Sequence, residues 1–268
     1  MSSPRQSAAK NVVYTALFGS YEKLTEQPEA LASEADFICF TDDLELTSAT
    51  WDVRVIALEP HFDTVRNARY LKILGHNQLA AYTATMWIDN RVLLVRDPTE
   101  FFSVWLGEHE MAMPLHFTRA SLGAEFRAVL AHNFDEPYRV RSLLAFLTTA
   151  APDLLDDEPY WSAILLRKNT AAVRSAMRVW FDLLLLYSRR DQLSLNYSLR
   201  LMPCDISPRE VDPRSSSWIR WLDDNAAGRN TAHRSTGGAR YSLRAYVLDV
   251  LRRSKSLRRL DRHVRGIK

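Results

Sequence analysis

Tyr82-Thr83-Ala84-Thr85-Met86-Trp87-Ile88-Asp89-Asn90-Arg91-Val92-Leu93-Leu94-Val95 is the stretch from which the fold can be read. An apolar, β-branched and aromatic run ends in a carboxylate, and a second apolar run follows at once. Strand residues of this kind want burial on both faces, as in the centre of a parallel or mixed sheet. Asp89 has no packing role there, and burying it unpaired would cost several kcal/mol. The expectation is that Asp89 stands at the carboxyl edge of the sheet, where open α/β folds bind their ligands. A strand-end Asp that only starts a turn is the plainer alternative, and the neighbouring segments weigh against it.

Those segments alternate in the first half of the chain. Asn11 to Phe18 reads as a buried strand that stops at Gly19-Ser20-Tyr21, and Asp36 to Thr41 as a second that ends in Asp42-Asp43. Trp51 to Leu58 reads as a third strand. Asp63 to Leu74 reads as a helix, with Asp63 as its cap and Val65, Ala68, Tyr70 and Ile73 at roughly helical intervals. The layout is α/β with a mostly parallel sheet. Successive carboxyl ends of a parallel sheet fall on one edge, so the Gly19, Asp42-Asp43 and Asp89-Asn90-Arg91 ends can converge. Arg66, Arg69 and Lys72, three apart on the helix, lie on one face. They form either a solvated surface or, beside such a crevice, a holder for a diphosphate.

Composition limits the class. At 268 residues, 47% hydrophobic and 25% charged, the chain is an ordinary globular protein with one large domain, or one domain with a helical appendage. A net charge of +3 gives no global pull toward nucleic acid. Cys39 and Cys204 stand far apart, without disulfide or metal-knuckle spacing, and read as reduced thiols. No apolar run reaches the length of a membrane span, and Met1 to Lys10 lacks the apolar core of a signal peptide. The expected location is cytoplasmic.

The second half is more helical. Met111 to Arg119 reads as a strand or extended turn, followed by helices at Ser121 to Ala131, Arg139 to Thr149 and Thr170 to Tyr187. Ala151 to Pro159 reads as a loop and Tyr160 to Arg167 as a strand. The polar segment Arg189-Arg190-Asp191-Gln192 sits between hydrophobic stretches. Asp191 can cap the next helix, serve a site, or do both. Beyond Pro203, Pro208 to Ser217 reads as a linker, Trp218 to Asp224 as a short helix, and Tyr241 to Lys268 as a helix with a basic far half.

Five segments occur in a recognisable order: Tyr14-Thr-Ala-Leu-Phe-Gly-Ser-Tyr21, Arg66-Asn-Ala-Arg-Tyr-Leu-Lys72, Met86-Trp-Ile-Asp-Asn-Arg91, His116-Phe-Thr-Arg119 with Glu125, and Arg190-Asp-Gln-Leu-Ser194. In this the chain resembles the glycosyltransferase-like family of the plant turgor-regulation and seed-mucilage proteins, over roughly residues 11 to 200. The resemblance implies a GT-A-like fold: a mixed, mostly parallel sheet flanked by helices, here with a C-terminal helical extension. It divides the chain into a transferase domain at 1–203 and a linker with a basic amphipathic helix at 204–268. It also implies transfer of a sugar from a nucleotide-sugar to a glycan or lipid-linked acceptor, in cell-surface polysaccharide synthesis.

Under that resemblance Thr15, Phe18, Gly19 and Tyr21 border the nucleotide, with Gly19 allowing close backbone approach. Asp42 or Asp43 accepts from the base or ribose, while Arg66, Arg69, Lys72, Trp87, Asp89, Asn90 and Arg91 hold the remainder of the donor. His116 faces the reacting sugar or acceptor, unless it is an ordinary packed imidazole. Arg119, Arg190 and Gln192 face the acceptor or the sugar. Asp191 is the candidate base for the acceptor hydroxyl if transfer inverts, and an orienting group if it retains. Trp87-Ile-Asp89-Asn-Arg91 takes the place of the Asp-x-Asp motif of metal-dependent GT-A enzymes, with Arg91 where the second carboxylate would be. Either Mn2+ or Mg2+ binds Asp89 with a ligand from elsewhere, or the cations neutralise the diphosphate themselves. The substitution by Arg91 favours metal independence.

The basic tail, Tyr241 to Lys268, is consistent with docking on an anionic membrane, or with packing on its own domain or a partner. Nucleic-acid binding is not expected, for lack of a reading motif. Two other functions stay open. One is a non-catalytic nucleotide-sugar- or glycan-binding module on the same scaffold. The other is a lipid-amide (ceramide-type) hydrolase, for which neither His-Glu-x-x-His nor Gly-x-Ser-x-Gly is present.

Overall fold

The computed structural model describes residues 10–223. Strand β1 (Asn11–Leu17) is buried along nearly its whole length because strands run on both sides of it. β2 (Asp36–Thr41) and β4 (Ala84–Ile88) flank it in parallel, and β3 (Asp52–Val55) extends the parallel set beyond β2. On the far side of β4 the direction reverses. β7 (Ile164–Lys168) is antiparallel to both β4 and β6 (Met111–Pro114), and β8 (Ile206–Arg209) is parallel to β6. The seven-stranded order is β3-β2-β1-β4-β7-β6-β8. This is the mixed, mostly parallel sheet expected from the sequence. β5 (Val92–Leu94) and β9 (Ile219–Trp221) form a separate antiparallel pair.

Strand periodicity sends alternate side chains to opposite faces. Val13, Leu17, Cys39, Met86 and Ile88 join one cluster, closed by Phe101, Trp105 and Trp161. Phe101 and Trp105 belong to a π-helical turn (Phe101–Leu106) that continues α2 (Pro98–Glu100). Val12, Tyr14, Ile38, Phe40 and Trp87 join the other cluster, which is covered by α1 (Thr64–Leu74) and α5 (Ala171–Leu186). α5 buries Val173, Ala176, Met177, Trp180 and Leu184 at intervals of three and four, as an amphipathic helix must. α3 (Leu122–Ala131), α4 (Pro137–Ala150) and the start of α6 (Gln192–Leu201) enclose a third cluster. Asp63, Ser121 and Thr170 cap α1, α3 and α5, each accepting a backbone N–H from the first turn.

Several boundaries differ from the sequence reading. The third strand is confined to Asp52–Val55, and β7 begins at Ile164 rather than Tyr160. Past residue 203 the expected linker supplies β8, and the expected short helix supplies β9. Local composition hid both, because Pro and Arg in β8 are tolerated at a sheet edge, where half the ladder is unpaired. The basic segment 241–268 lies outside the described residues. Among the described residues no helix is long and apolar enough to cross a membrane.

One buried polar hub fixes α1 on the sheet. The Tyr14 hydroxyl donates toward the carbonyls of Leu71 and Lys72 (3.3 and 3.1 Å) and accepts from Arg167 Nη2 at 2.7 Å. Arg167 Nη1 donates to the Ile73 carbonyl. The last carbonyls of a helix have no partner within it. Here β1 and β7 supply one, which sets where Lys72 and Arg69 sit above the sheet. Tyr14→Phe leaves buried Arg167 with a lost acceptor, so it should lower the urea unfolding free energy by about 1–3 kcal/mol.

Candidate functional site

The pairing register puts the ends of β1, β2, β3 and β4 on one edge, where β6 also ends and β7 begins. Asp89 follows β4 directly. Its Oδ1 accepts from Trp87 Nε1 at 2.7 Å and from Lys72 Nζ at 3.3 Å, and lies 4.0 Å from Arg69 Nη1. Asp191 comes to the same place from the turn before α6. Its Oδ2 lies 2.7 Å from Lys72 Nζ and 3.3 Å from Arg69 Nε, and accepts from Ser162 Oγ at 3.0 Å. Lys72 Nζ also lies 3.1 Å from Ser162 Oγ. Lys72 sits near the C-terminal end of α1, and helical side chains lean toward the helix N-terminus. That lean carries the ammonium to the carboxyl edge of the sheet. Asp89 is the exposed member of this group, at 26% against 3% for Asp191.

Asp191 does not act as a side-chain cap. Its position opens α6, but its carboxylate makes no cap hydrogen bond and is spent on Lys72, Arg69 and Ser162. Trp180 Nε1 donates to its backbone carbonyl at 2.8 Å and so fixes the turn. Burial alone would raise its pKa, but Arg69 and Lys72 outweigh this and hold it well below the usual carboxylate range. A buried carboxylate so strongly held as an anion is a poor proton acceptor. In the free chain its carboxylate holds Lys72 and Arg69 in place.

A second group adjoins the first. Glu125 of α3 is buried, with Arg119 Nε at 3.1 Å, His116 Nε2 at 3.8 Å and Arg190 Nη2 at 3.9 Å. Burial raises the Glu125 pKa, and Arg190 and Arg119 offset only part of that. Burial, aided by Arg119, pushes the His116 imidazole down to about 4. Its Nδ1 accepts from the Thr118 N–H at 3.3 Å, so the neutral ring carries its proton on Nε2, toward Glu125. Arg190 lies over the Phe134 ring and donates from Nη2 to Gln192 Oε1 at 3.4 Å, while its buried Nε makes no hydrogen bond.

The remaining candidates scatter. Gly19, at φ +73°, donates its N–H to Asp42 Oδ1 at 3.0 Å, and Ser20 Oγ donates to Asp43 Oδ2 at 3.4 Å, which ties the ends of β1 and β2 together. Tyr21 is half-buried and close enough to Arg69 to act on its charge. Thr15 and Phe18 are buried in the sheet. Arg66 turns to Asp63 instead of joining Arg69 and Lys72. Asn90 clamps the preceding loop, donating to the Lys23 carbonyl and accepting from the Thr25 N–H, both at 2.8 Å. Arg91 stands over the Trp221 ring at 4.6 Å and donates to the Leu222 carbonyl at 2.7 Å. Its guanidinium anchors the β5–β9 pair. Ser162 and the structural use of Tyr14, Arg167 and Trp180 carried no sequence signal. Glu125 did, in the His116-Phe-Thr-Arg119 segment, but without a role.

Parallel strands that bring acids and guanidinium groups to one sheet edge define an α/β domain suited to a charged ligand. The chain belongs to the TOD1/MUCI70 family: the model for the "TOD1/MUCI70, glycosyltransferase-like domain" matches residues 4–209. It is 24% identical over 157 residues to the probable hexosyltransferase MUCI70 of Arabidopsis thaliana, a match covering 54% of this chain and 27% of that protein. The chain thus spans about a quarter of that relative's length. Two solved structures are similar at a TM-score of 0.43. The glycosyltransferase GlyE of Streptococcus pneumoniae TIGR4 has 14% identity, with 75% of this chain and 45% of that one covered. Core-mannan synthase A (CmsA/Ktr4) of Aspergillus fumigatus, in its Mn/GDP form, has 10% identity, with 78% and 74% covered.

Asp89 and Asp191 offer oxygens of the kind a divalent ion takes, but both are turned to the Lys72 ammonium. No group of three His, Cys, Asp or Glu side chains that could hold a metal ion occurs among the described residues. The carboxylates of Asp89 and Asp191 already share an ammonium.

Two outcomes follow for stability. Asp191→Asn leaves Lys72 and Arg69 undercompensated beside a buried hydroxyl, and should cost about 3–5 kcal/mol in denaturant unfolding. His116, whose folded pKa lies below its ordinary 6.5, binds its proton more readily in the unfolded chain. Its contribution to stability is present above pH 6.5 and is lost as pH falls toward 4. Glu125, with a raised folded pKa, contributes in the opposite sense: stability present at low pH and lost as pH rises through that value. His116→Asn should therefore flatten the loss of stability between pH 6.5 and 4, measured by unfolding at a series of pH values.

Proposed function

We propose that this chain transfers a glycosyl group from a nucleotide-sugar to a glycan or lipid-linked acceptor, in the assembly of a surface polysaccharide. The observation that carries this reading is the joining of Asp89 and Asp191 through Lys72 and Arg69 at the carboxyl edge of the sheet. Membership of a glycosyltransferase-like family supports the reaction class.

In this reading the Gly19-Ser20 and Asp42-Asp43 ends border the nucleoside. The positive φ of Gly19 suits close backbone approach, since a Cβ there would meet Thr64 Cγ2 at 3.3 Å. Arg69, Arg119 and Arg190 lie on the open side and offset the charge that grows on the departing diphosphate. The bare Nε of Arg190 is a donor that an incoming phosphate or hydroxyl oxygen would satisfy. The contacts of Asp89 fall on Oδ1, which leaves Oδ2 as an acceptor for sugar hydroxyls. Neutral His116 and Arg119 line the acceptor side.

A thermal-shift screen against UDP-, GDP-, CMP- and dTDP-sugars tests the proposal. At a hundredfold excess over Kd, one series should stabilise the chain by about 2.7 kcal/mol, or roughly 5–10 °C. Arg69→Ala should weaken that binding by about tenfold or more, as expected for a lost charge-assisted contact. No response to any of the donors would overturn the reading.

A further inference from the structure

Two carboxylates and a hydroxyl, reaching in from three separate chain segments, are an oxygen set that suits a hard divalent cation. Asp89, Asp191 and Ser162 form such a set, and each lies within 3.3 Å of a single cationic atom, Lys72 Nζ. That atom is buried at the meeting point of α1, the end of β4, the approach to β7 and the turn before α6. Trp87 closes it from the side, its ring centroid 5.9 Å away and its indole N–H fixing Asp89. Arg69 adds a second positive charge, 3.3 Å from Asp191.

We infer that Lys72 occupies the place in which a divalent cation would otherwise bridge Asp89 and Asp191. The chain therefore carries its own cation there, and nucleoside-diphosphate binding at this edge requires no metal. An added divalent ion would have to enter a buried space already holding an ammonium and a guanidinium, where like charges are weakly screened. Lys72, being buried, positions Asp89 and Arg69 and does not itself touch the ligand. Only the statement about nucleotide rests on the glycosyl-transfer reading. The statement about the ion stands on the free protein.

Mn2+ titration of the purified full chain, followed by loss of the hexaaqua Mn2+ electron paramagnetic resonance signal, tests the ion directly. The wild type should show no site tighter than about 1 mM. Lys72→Ala should gain about tenfold or more in Mn2+ affinity, and Lys72→Ala with Asp89→Asn should lose it again. A sub-millimolar wild-type site abolished by Asp89→Asn overturns the inference, as does a folded Lys72→Ala that gains no affinity. If Lys72→Ala fails to fold, the comparison of wild type with Asp89→Asn decides. Calorimetric titration with UDP and GDP, in Mn2+ or in EDTA, gives the second readout. Affinities equal within about twofold are expected, and a tenfold loss in EDTA overturns the inference. Absence of nucleotide binding under both conditions counts against glycosyl transfer, and the Mn2+ titration then decides the present inference alone.

Discussion

The buried ammonium of Lys72, shared by Asp89 and Asp191, is the contact on which the rest of this structure depends. Taking three charges from water is costly, and the cost is recovered only when the geometry is held and the remaining lone pairs are satisfied. Ser162 and Trp87 meet that condition by donating to Asp191 and Asp89. The consequence is mutual restraint. Helix α1, the end of β4, the approach to β7 and the start of α6 cannot shift separately without exposing an unpaired charge to an apolar interior.

Around this centre the charges fall into an inner and an outer layer. Lys72, Asp191 and Ser162 are inside, at low exposure. Asp89, Arg69, Arg119 and Arg190 form the outer layer, each partly open to solvent. The inner layer orients the outer one. Glu125 repeats the arrangement beside it, as a buried carboxylate that holds Arg119 and faces neutral His116. Guanidinium groups held this way are pre-oriented and need little reorganisation to meet an anionic ligand.

The helix that carries Arg69 and Lys72 is itself held by its last carbonyls, through Tyr14 and Arg167. Loop anchoring follows the same economy. Asn90, one residue past the key aspartate, clamps the chain at Lys23 and Thr25, and Arg91 fastens the β5–β9 pair. The Asp89-Asn90-Arg91 triplet thus divides its work: one residue for the site and two for its walls. The position at which an Asp-x-Asp motif would supply a second carboxylate supplies a structural strut.

Much of the framework was legible in the sequence. The apolar run ending at Asp89 marked a strand buried on both faces, and its carboxylate marked the edge where polar ends gather. Asp63 announced its helix because capping is a local contact between a side chain and the next turn. Helical spacing put Arg69 and Lys72 on one face, but it could not tell that Arg66, one turn earlier, would turn to its neighbour Asp63. The direct pairing of Lys72 with a carboxylate 119 positions further on is a property of the folded chain alone. Equally, β8 forms from residues with little strand propensity, because β6 already offers it a partner edge. Sequence by itself determined the central strands and the capped helices, since periodicity and capping act over a few residues. Tertiary structure decided which charges meet and which are buried, because Coulombic partners and desolvation depend on distances that the order of residues does not contain.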